Sequence, residues 1–272
     1  MTLGAGRIRA LLDDHGITPS RALGQNFLID PNTARRIAAA SGAGEGDAVL
    51  EIGPGLGSLT LALAELGAEV TAVELDRHLV PVLREVVADA DPPVRVVEAD
   101  ALEVDLAGLV TPGRRWRLAA NLPYNVGTTI LLRVLQEAPE ITGGVALVQR
   151  EVADRLAAGA GADAYGIPSV KAAWWVHVRV AGRVPAAVFH PRPRVDSAFV
   201  TFERHEPPGD EQLRQRVFSL VDAGFGQRRK MLRRSLVDHI EPGALERADI
   251  DPTRRAEELA LDDWVRLAAP PS

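Results

Sequence analysis

An α/β sheet domain followed by a small C-terminal all-helical domain is what this sequence predicts, and three observations carry the prediction. A β-prone apolar run at 48–52 enters the turn Gly53-Pro-Gly-Leu-Gly57, and a Leu- and Ala-rich stretch of helical spacing begins at Ser58. Further β-prone runs at 68–74, 94–100, 116–121 and 144–149 alternate with helical patterns, the rhythm of a parallel sheet. Past Glu206-Pro-Pro-Gly-Asp210 the strand patterns stop and helical ones remain. The expected domains are therefore 1–205 and 206–272.

Composition narrows the field. The chain has 272 residues, 46% hydrophobic and 25% charged, which suits a soluble globular protein with one full domain and a smaller one. It has no Cys, which excludes disulfides, thiolate metal sites and a cysteine nucleophile. The six His show no metal-binding spacing, so no metal site is expected. The N-terminus lacks a long apolar core and no later run is long enough to span a membrane, so a cytoplasmic protein is expected. A net charge of −6 argues against a globally basic nucleic-acid binder but leaves room for a local basic patch.

In chain order, 1–23 reads as an exposed arm with a short helix near Ile8 to Asp13. Leu23-Gly-Gln-Asn-Phe-Leu-Ile-Asp30 then precedes a helix over 33–40, with Phe27 and Leu28 placed as a hydrophobic staple. A run of 48–52 makes the first strand of the sheet, and the helix from Ser58 follows. Strand 68–74 ends on Glu74, and a helix over 76–88 holds Pro81 within its first turns, where proline is least disruptive. The strand at 94–100 ends on Asp100. Trp116-Arg-Leu-Ala-Ala-Asn-Leu-Pro-Tyr-Asn125 is a fourth strand with its exit loop, and a helix over 128–136 is expected to be capped by Thr128 and Thr129. Strand 144–149, a helix over 150–158 and a small-residue loop at 159–166 come next. Runs at 170–181 and 197–203 read as added antiparallel strands, separated by a proline-rich segment that cannot be a central strand. Helices are expected at 211–224, 228–239 and 262–268.

The glycine turn has a chemical reading. A dinucleotide fingerprint wants a third glycine three residues after the second, and that position is Ser58; the third glycine is Gly57 instead. Glu51-x-Gly53-x-Gly55-x-Gly57 is the turn expected of methyltransferases that use S-adenosylmethionine, whose amino acid and ribose need close backbone approach but which has no pyrophosphate. Glu74, about twenty residues on, suits bidentate hydrogen bonding to ribose hydroxyls. Asp100 would line the same side of the sheet.

Asn121-Leu-Pro-Tyr124 supplies what an adenine amino group needs. Its nitrogen lone pair is delocalised into the ring, so the group is a poor nucleophile. The Asn121 side-chain oxygen and the carbonyl before Pro123 can accept both amino hydrogens and aim the lone pair at a methyl group. The Tyr124 ring can stack on the base, and Phe189 is the expected opposite wall. Arg192 and Arg194 are placed to meet phosphates. Arg228, Arg229, Lys230, Arg233 and Arg234, interleaved with Met231 and Leu232, read as a helix with one packed and one basic side.

Taken together, Leu-Gly-Gln-Asn-Phe-Leu, Glu-Ile-Gly-Pro-Gly-Leu-Gly, Asn-Leu-Pro-Tyr, Phe-His-Pro-Arg-Pro-Arg-Val-Asp-Ser and Phe-Gly-Gln-Arg-Arg-Lys-Met-Leu-Arg occur in this order. The chain resembles the KsgA-type ribosomal RNA adenine dimethyltransferases over essentially its whole length. The resemblance implies a Rossmann-like S-adenosylmethionine-dependent methyltransferase sheet with a small C-terminal helical domain that binds RNA. It implies transfer of four methyl groups, two to N6 of each of two adjacent adenosines near the 3′ end of 16S rRNA, by a monomer acting on a pre-30S small ribosomal subunit. By the same resemblance Asn26, Leu28, Gly53, Glu74, Asp100 and Asn121 would contact the cofactor, and Asn121, Pro123, Tyr124 and Phe189 would form the reaction centre. Met231 departs from the family pattern, where threonine is frequent. The competing readings are the macrolide-resistance class, which methylates an adenine of 23S rRNA, and an assembly factor acting mainly by binding the small subunit. A nicotinamide dehydrogenase fails on the glycine spacing.

Overall fold

The computed structural model describes residues 2–20 and 22–270; the expected arm over 1–23 falls outside them at 1 and 21. The chain divides into two compact units, Met1–Ala153 with Arg179–Arg204, and Asp154–Val178 with His205–Ser272.

The sheet is built from β2 (Ala48–Ile52), β3 (Glu69–Glu74), β4 (Arg95–Glu98), β5 (Trp116–Asn121), β6 (Ile141–Gln149), β7 (Val176–Val184) and β9 (Ser197–Arg204), in the order β4-β3-β2-β5-β6-β9-β7. The first five strands in that order pair in parallel, and β6 pairs antiparallel with β9. β2 is buried along its whole length, which explains its unbroken apolar texture. Two short strands, β1 (Phe27–Leu28) and β8 (Phe189–His190), pair antiparallel outside this sheet. Because β3 lies on one side of β2 and β5 on the other, a crevice opens at the carboxyl ends of these strands, where ligands of open α/β sheets bind.

Gly53 and Gly57 show why the turn needs glycine. Both have φ in the left-handed region, and a Cβ on Gly53 would lie 2.9 Å from the Asn121 carbonyl oxygen. In β5, Arg117 is buried and paired. Its Nη atoms donate to both carboxylate oxygens of Glu203 at 2.8 and 2.6 Å, and its Nε donates to the Ser41 carbonyl at 2.7 Å. This pair holds the Glu203 carboxyl below its usual range.

Several expectations are corrected. The N-terminal arm is not exposed: helix Ala5–Asp14 buries Ile8, Leu11 and Leu12 in the core. Phe27 and Leu28 form a strand rather than a staple, and the next helix starts earlier, at Pro31, where the Asp30 side chain accepts from the Thr33 N–H. β4 ends at Glu98, so Asp100 sits in the loop beyond it. Helix Gly127–Glu137 has Val126 at its N-cap and no threonine cap, because it starts early enough to place Thr128 and Thr129 inside its first turn. The run at 170–181 divides into a helix, Ile167–Ala173, and the start of β7.

Asp154–Val178, which includes the start of β7, groups with the C-terminal helices, so the second unit is not the single segment expected from 206. Aromatic packing explains this: Trp174 and Trp175 meet Phe218 edge-on at 6.1 and 5.5 Å, and Tyr165 meets Phe225 at 6.0 Å. The Tyr165 hydroxyl donates to the Leu259 carbonyl at 2.8 Å. The expected helix over 228–239 is also absent. Met231 is extended and bridges Arg255, leaving only Leu232–Ser235 helical. Helix Ala244–Arg247 and the short turn Ala256–Glu258 were not anticipated.

Candidate functional site

The crevice at the strand ends is a cleft to which five separate stretches contribute. Gly53 and Gly55 form its floor, Glu74 and Leu75 come from the end of β3, Asp100 to Leu102 from the loop after β4, and Asn121 to Tyr124 from the end of β5. The segment Leu23 to Phe27 closes it from the N-terminal side.

Glu74 is held from two sides. One carboxylate oxygen accepts the Gly55 N–H at 3.0 Å and the other accepts the Asp76 N–H at 2.9 Å. Burial pushes its pKa up, and the two N–H donors oppose that shift. Each oxygen keeps a lone pair for a further donor. The Asp76 carboxylate accepts from Gln25 Nε2 at 2.7 Å, tying the N-terminal segment to β3. Asp100 Oδ1 accepts the Leu102 N–H at 2.8 Å, which turns the loop.

At the other end of the cleft Asn121 Nδ2 donates to the Asn26 carbonyl at 3.3 Å. That contact leaves Oδ1 as the acceptor end of the amide. Asn26 Nδ2 donates to the Gly24 carbonyl. The Tyr124 and Ser197 hydroxyls are 2.8 Å apart, and burial pushes the Tyr124 phenol up.

Of the expected site residues, Asn26, Gly53, Glu74, Asp100, Asn121, Pro123 and Tyr124 line this one cleft. Leu28 and Phe189 do not. Both are buried in the hydrophobic cluster, paired across β1 and β8, and Leu28 offers only its carbonyl, to the Ser58 hydroxyl at 2.6 Å. Phe189 is therefore buried in the core and does not line this cleft. Phe27, one residue earlier, lines the cleft instead. Arg192 and Arg194 are exposed in the loop before β9.

The chain from 18 to 269 matches the family model for ribosomal RNA adenine dimethylases. The chain belongs to this family. Its relatives include the ribosomal RNA small subunit methyltransferase A of Leifsonia xyli, 50% identical and covering 98% of both chains. That of Nocardia farcinica is also 50% identical, covering 98% of this chain and 94% of its own. The crystal structure of the 23S rRNA methyltransferase ErmE is similar with a TM-score of 0.69 at 28% identity, covering 89% of this chain and 98% of its own. A dimethyladenosine transferase from Plasmodium falciparum has the same fold, with a TM-score of 0.73 at 22% identity, covering 89% of this chain and 95% of its own. The identity to the small-subunit methyltransferases thus runs well above that to the 23S rRNA methyltransferase.

The family's basic segment lies in the second unit. Arg229, Lys230, Arg233 and Arg234 are exposed, whereas Arg228 is engaged. Its Nε donates to Glu257 at 2.6 Å and its Nη to the Asp163 carbonyl at 3.1 Å. Leu75, Gln25 and Leu102 were missed as cleft residues by sequence reasoning. The sequence carried a signal for Leu75, a large apolar residue directly after the strand-end acid Glu74, and the structure leaves it half exposed.

Proposed function

We propose that this protein dimethylates N6 of two adjacent adenosines near the 3′ end of 16S rRNA, using S-adenosylmethionine, during small-subunit assembly. It acts as a cytoplasmic monomer on a pre-30S particle. The observation that carries the reading is the convergence of Asn121 and Tyr124 with Glu74 and Asp100 in one cleft of a ribosomal RNA adenine dimethylase.

The cleft fits the cofactor chemically. Glu74 has free lone pairs for the two ribose hydroxyls, and the Asp100 carboxylate suits the adenine amino group. Leu75 and Leu102 offer apolar surface for a purine, and the glycine floor admits backbone contact with the amino acid end. When bound, S-adenosylmethionine supplies an electrophilic methyl group with a good leaving group. Little acid–base work then remains for the protein. Asn121 Oδ1 and the Leu122 carbonyl accept the hydrogens of the target amino group and orient its lone pair, and the Tyr124 ring stacks on the base. Arg192, Arg194 and the exposed basic segment of the second unit meet phosphates.

The test is labelled cofactor incubated with unmethylated small subunits, large subunits and naked 16S rRNA, followed by mass spectrometry of the digested RNA. Label in small subunits as dimethyladenosine is expected. Asn121→Ala should lower transfer about 10²-fold or more, as loss of one preorganised polar contact does. Label in large subunits, or a product halted at monomethyladenosine, would overturn the reading.

A further inference from the structure

We infer that Ser197 is a positioning residue for the reaction, acting through the Tyr124 hydroxyl. The inference deepens the proposed function, since it rests on Tyr124 being a wall of the target-base pocket. Ser197 is the last residue of the proline-rich motif at 189–197 and the first of β9, and it is fully buried. Its hydroxyl lies 2.8 Å from that of Tyr124.

Ser197 is held in place on each side. It pairs with Gln149 in the β6–β9 ladder. The preceding residue, Asp196, accepts the Arg150 N–H on its carbonyl at 3.1 Å and the Ala186 N–H on its side chain at 3.0 Å. Tyr124, by contrast, stands in a loop. The loop is tied at its start, where the Leu122 N–H donates to the Leu147 carbonyl, and at its end, where the Gly127 N–H donates to the Pro123 carbonyl. These ties fix the backbone around Tyr124 but not the swing of its ring about χ1. The hydroxyl contact to Ser197 is the tie that does. It crosses from the strand-end loop to the anchored head of β9 and fixes the place of the ring against which a base stacks. A ring free to swing from that place would still close the cleft but would present the base to Asn121 in many positions, and misplacement of this kind costs turnover more than binding.

A double-mutant cycle tests this: Ser197→Ala, Tyr124→Phe and both together, each assayed for methyl transfer to small subunits, cofactor affinity and melting temperature. Ser197→Ala and Tyr124→Phe should each lower kcat by roughly three- to tenfold, the scale of one lost hydrogen bond. The double variant should be no worse than either single one, with cofactor affinity near that of the parent. Ser197→Thr, which keeps the hydroxyl, should recover most of the rate. If Ser197→Ala cost as much in the Tyr124→Phe background as in the parent, or left kcat unchanged, the inference would be wrong. A Tyr124→Ala variant separates the two levels. Full activity without the ring would overturn the base-pocket reading itself, whereas a slow Tyr124→Ala beside an unimpaired Ser197→Ala would overturn only the role of Ser197.

Discussion

Glu51 is fully buried beside the glycine turn, and neither carboxyl oxygen has a hydrogen-bond partner of normal geometry. Loss of solvation, with a smaller contribution from the nearby Glu74 charge, pushes its pKa up to about 8, against a partial offset by the Thr60 hydroxyl. The folded protein thus keeps a proton that the unfolded chain releases near 4.5. The stabilisation is complete below that lower value and declines as pH rises towards about 8, beyond which it is flat. Glu51→Gln should remove this downward slope, and urea melts of the cofactor-free protein at several pH values read it directly; an unchanged slope would show that Glu51 ionises freely. Glu74 is perturbed by burial too, but its two backbone donors keep it useful as an acceptor. Glu74→Ala should weaken cofactor binding by ~1–3 kcal/mol, because hydroxyls brought into a buried site would lose their partner. Calorimetry on the folded variant decides it, and an unaltered Kd would remove Glu74 from the site. At this scale Glu74, Asp100 and Asn121 were legible as residues of one cleft because their chemistry and position coincide in the sequence. The burial of Phe189 and Leu28 was not, because a two-residue pairing decides which side chain of each faces the core.

Among the elements, helix Gly127–Glu137 links the two ends of the cleft. It begins immediately after the Asn-Leu-Pro-Tyr loop, and Arg133 on it donates to the carbonyls of Ala101 and Val104 at 2.7 and 2.8 Å. Its Nε donates to Glu137 at 2.9 Å, which holds the guanidinium in place. Arg133 thereby fastens the loop that carries Asp100 and Leu102. Arg133→Ala should raise the cofactor Kd by about tenfold, while Arg133→Lys, lacking the planar fork, should recover only part of it. Equal cofactor titrations for parent and Arg133→Ala would mean that the loop holds its shape alone. Nothing in the sequence marks Arg133, since an arginine one turn from Glu137 reads as an ordinary helix pair. The same holds for Gly143, where a Cβ would strike the Arg117 guanidinium. Strand patterns reveal that β5 and β6 exist, but not that a buried arginine between them demands a gap.

For the whole molecule, the alternation of strands and helices made the sheet readable, because each parallel strand carries its own apolar run. The second unit was less readable, since Trp174 and Trp175 sit upstream of β9 yet pack against Phe218, a long-range choice that local pattern cannot encode. Its basic segment was expected to be one helix whose charges all face RNA. The structure divides those charges instead. Arg228 is spent within the unit on Glu257 and the Asp163 carbonyl, while Arg229, Lys230, Arg233 and Arg234 stay exposed. Two kinds of variant should therefore separate. Arg228→Ala breaks an internal ion pair that is about half exposed, so it should lower the melting temperature slightly and change the salt dependence of small-subunit binding little. Replacing Arg229, Lys230 and Arg233 with Gln should leave the melting temperature near the parent's. If these side chains neutralise phosphates, each loss reduces the counterions released, so binding weakens and the slope of log K against log salt falls by roughly 0.7–0.9 per contact. Cofactor affinity should be unchanged in both, since Glu74, Asp100 and Asn121 all lie in the other unit. Binding to small subunits measured across a salt series gives the answer. A triple variant with the parent's slope would make the exposed run a solvated face, and an Arg228→Ala slope as shallow as the triple variant's would mean that the internal pair opens to meet RNA.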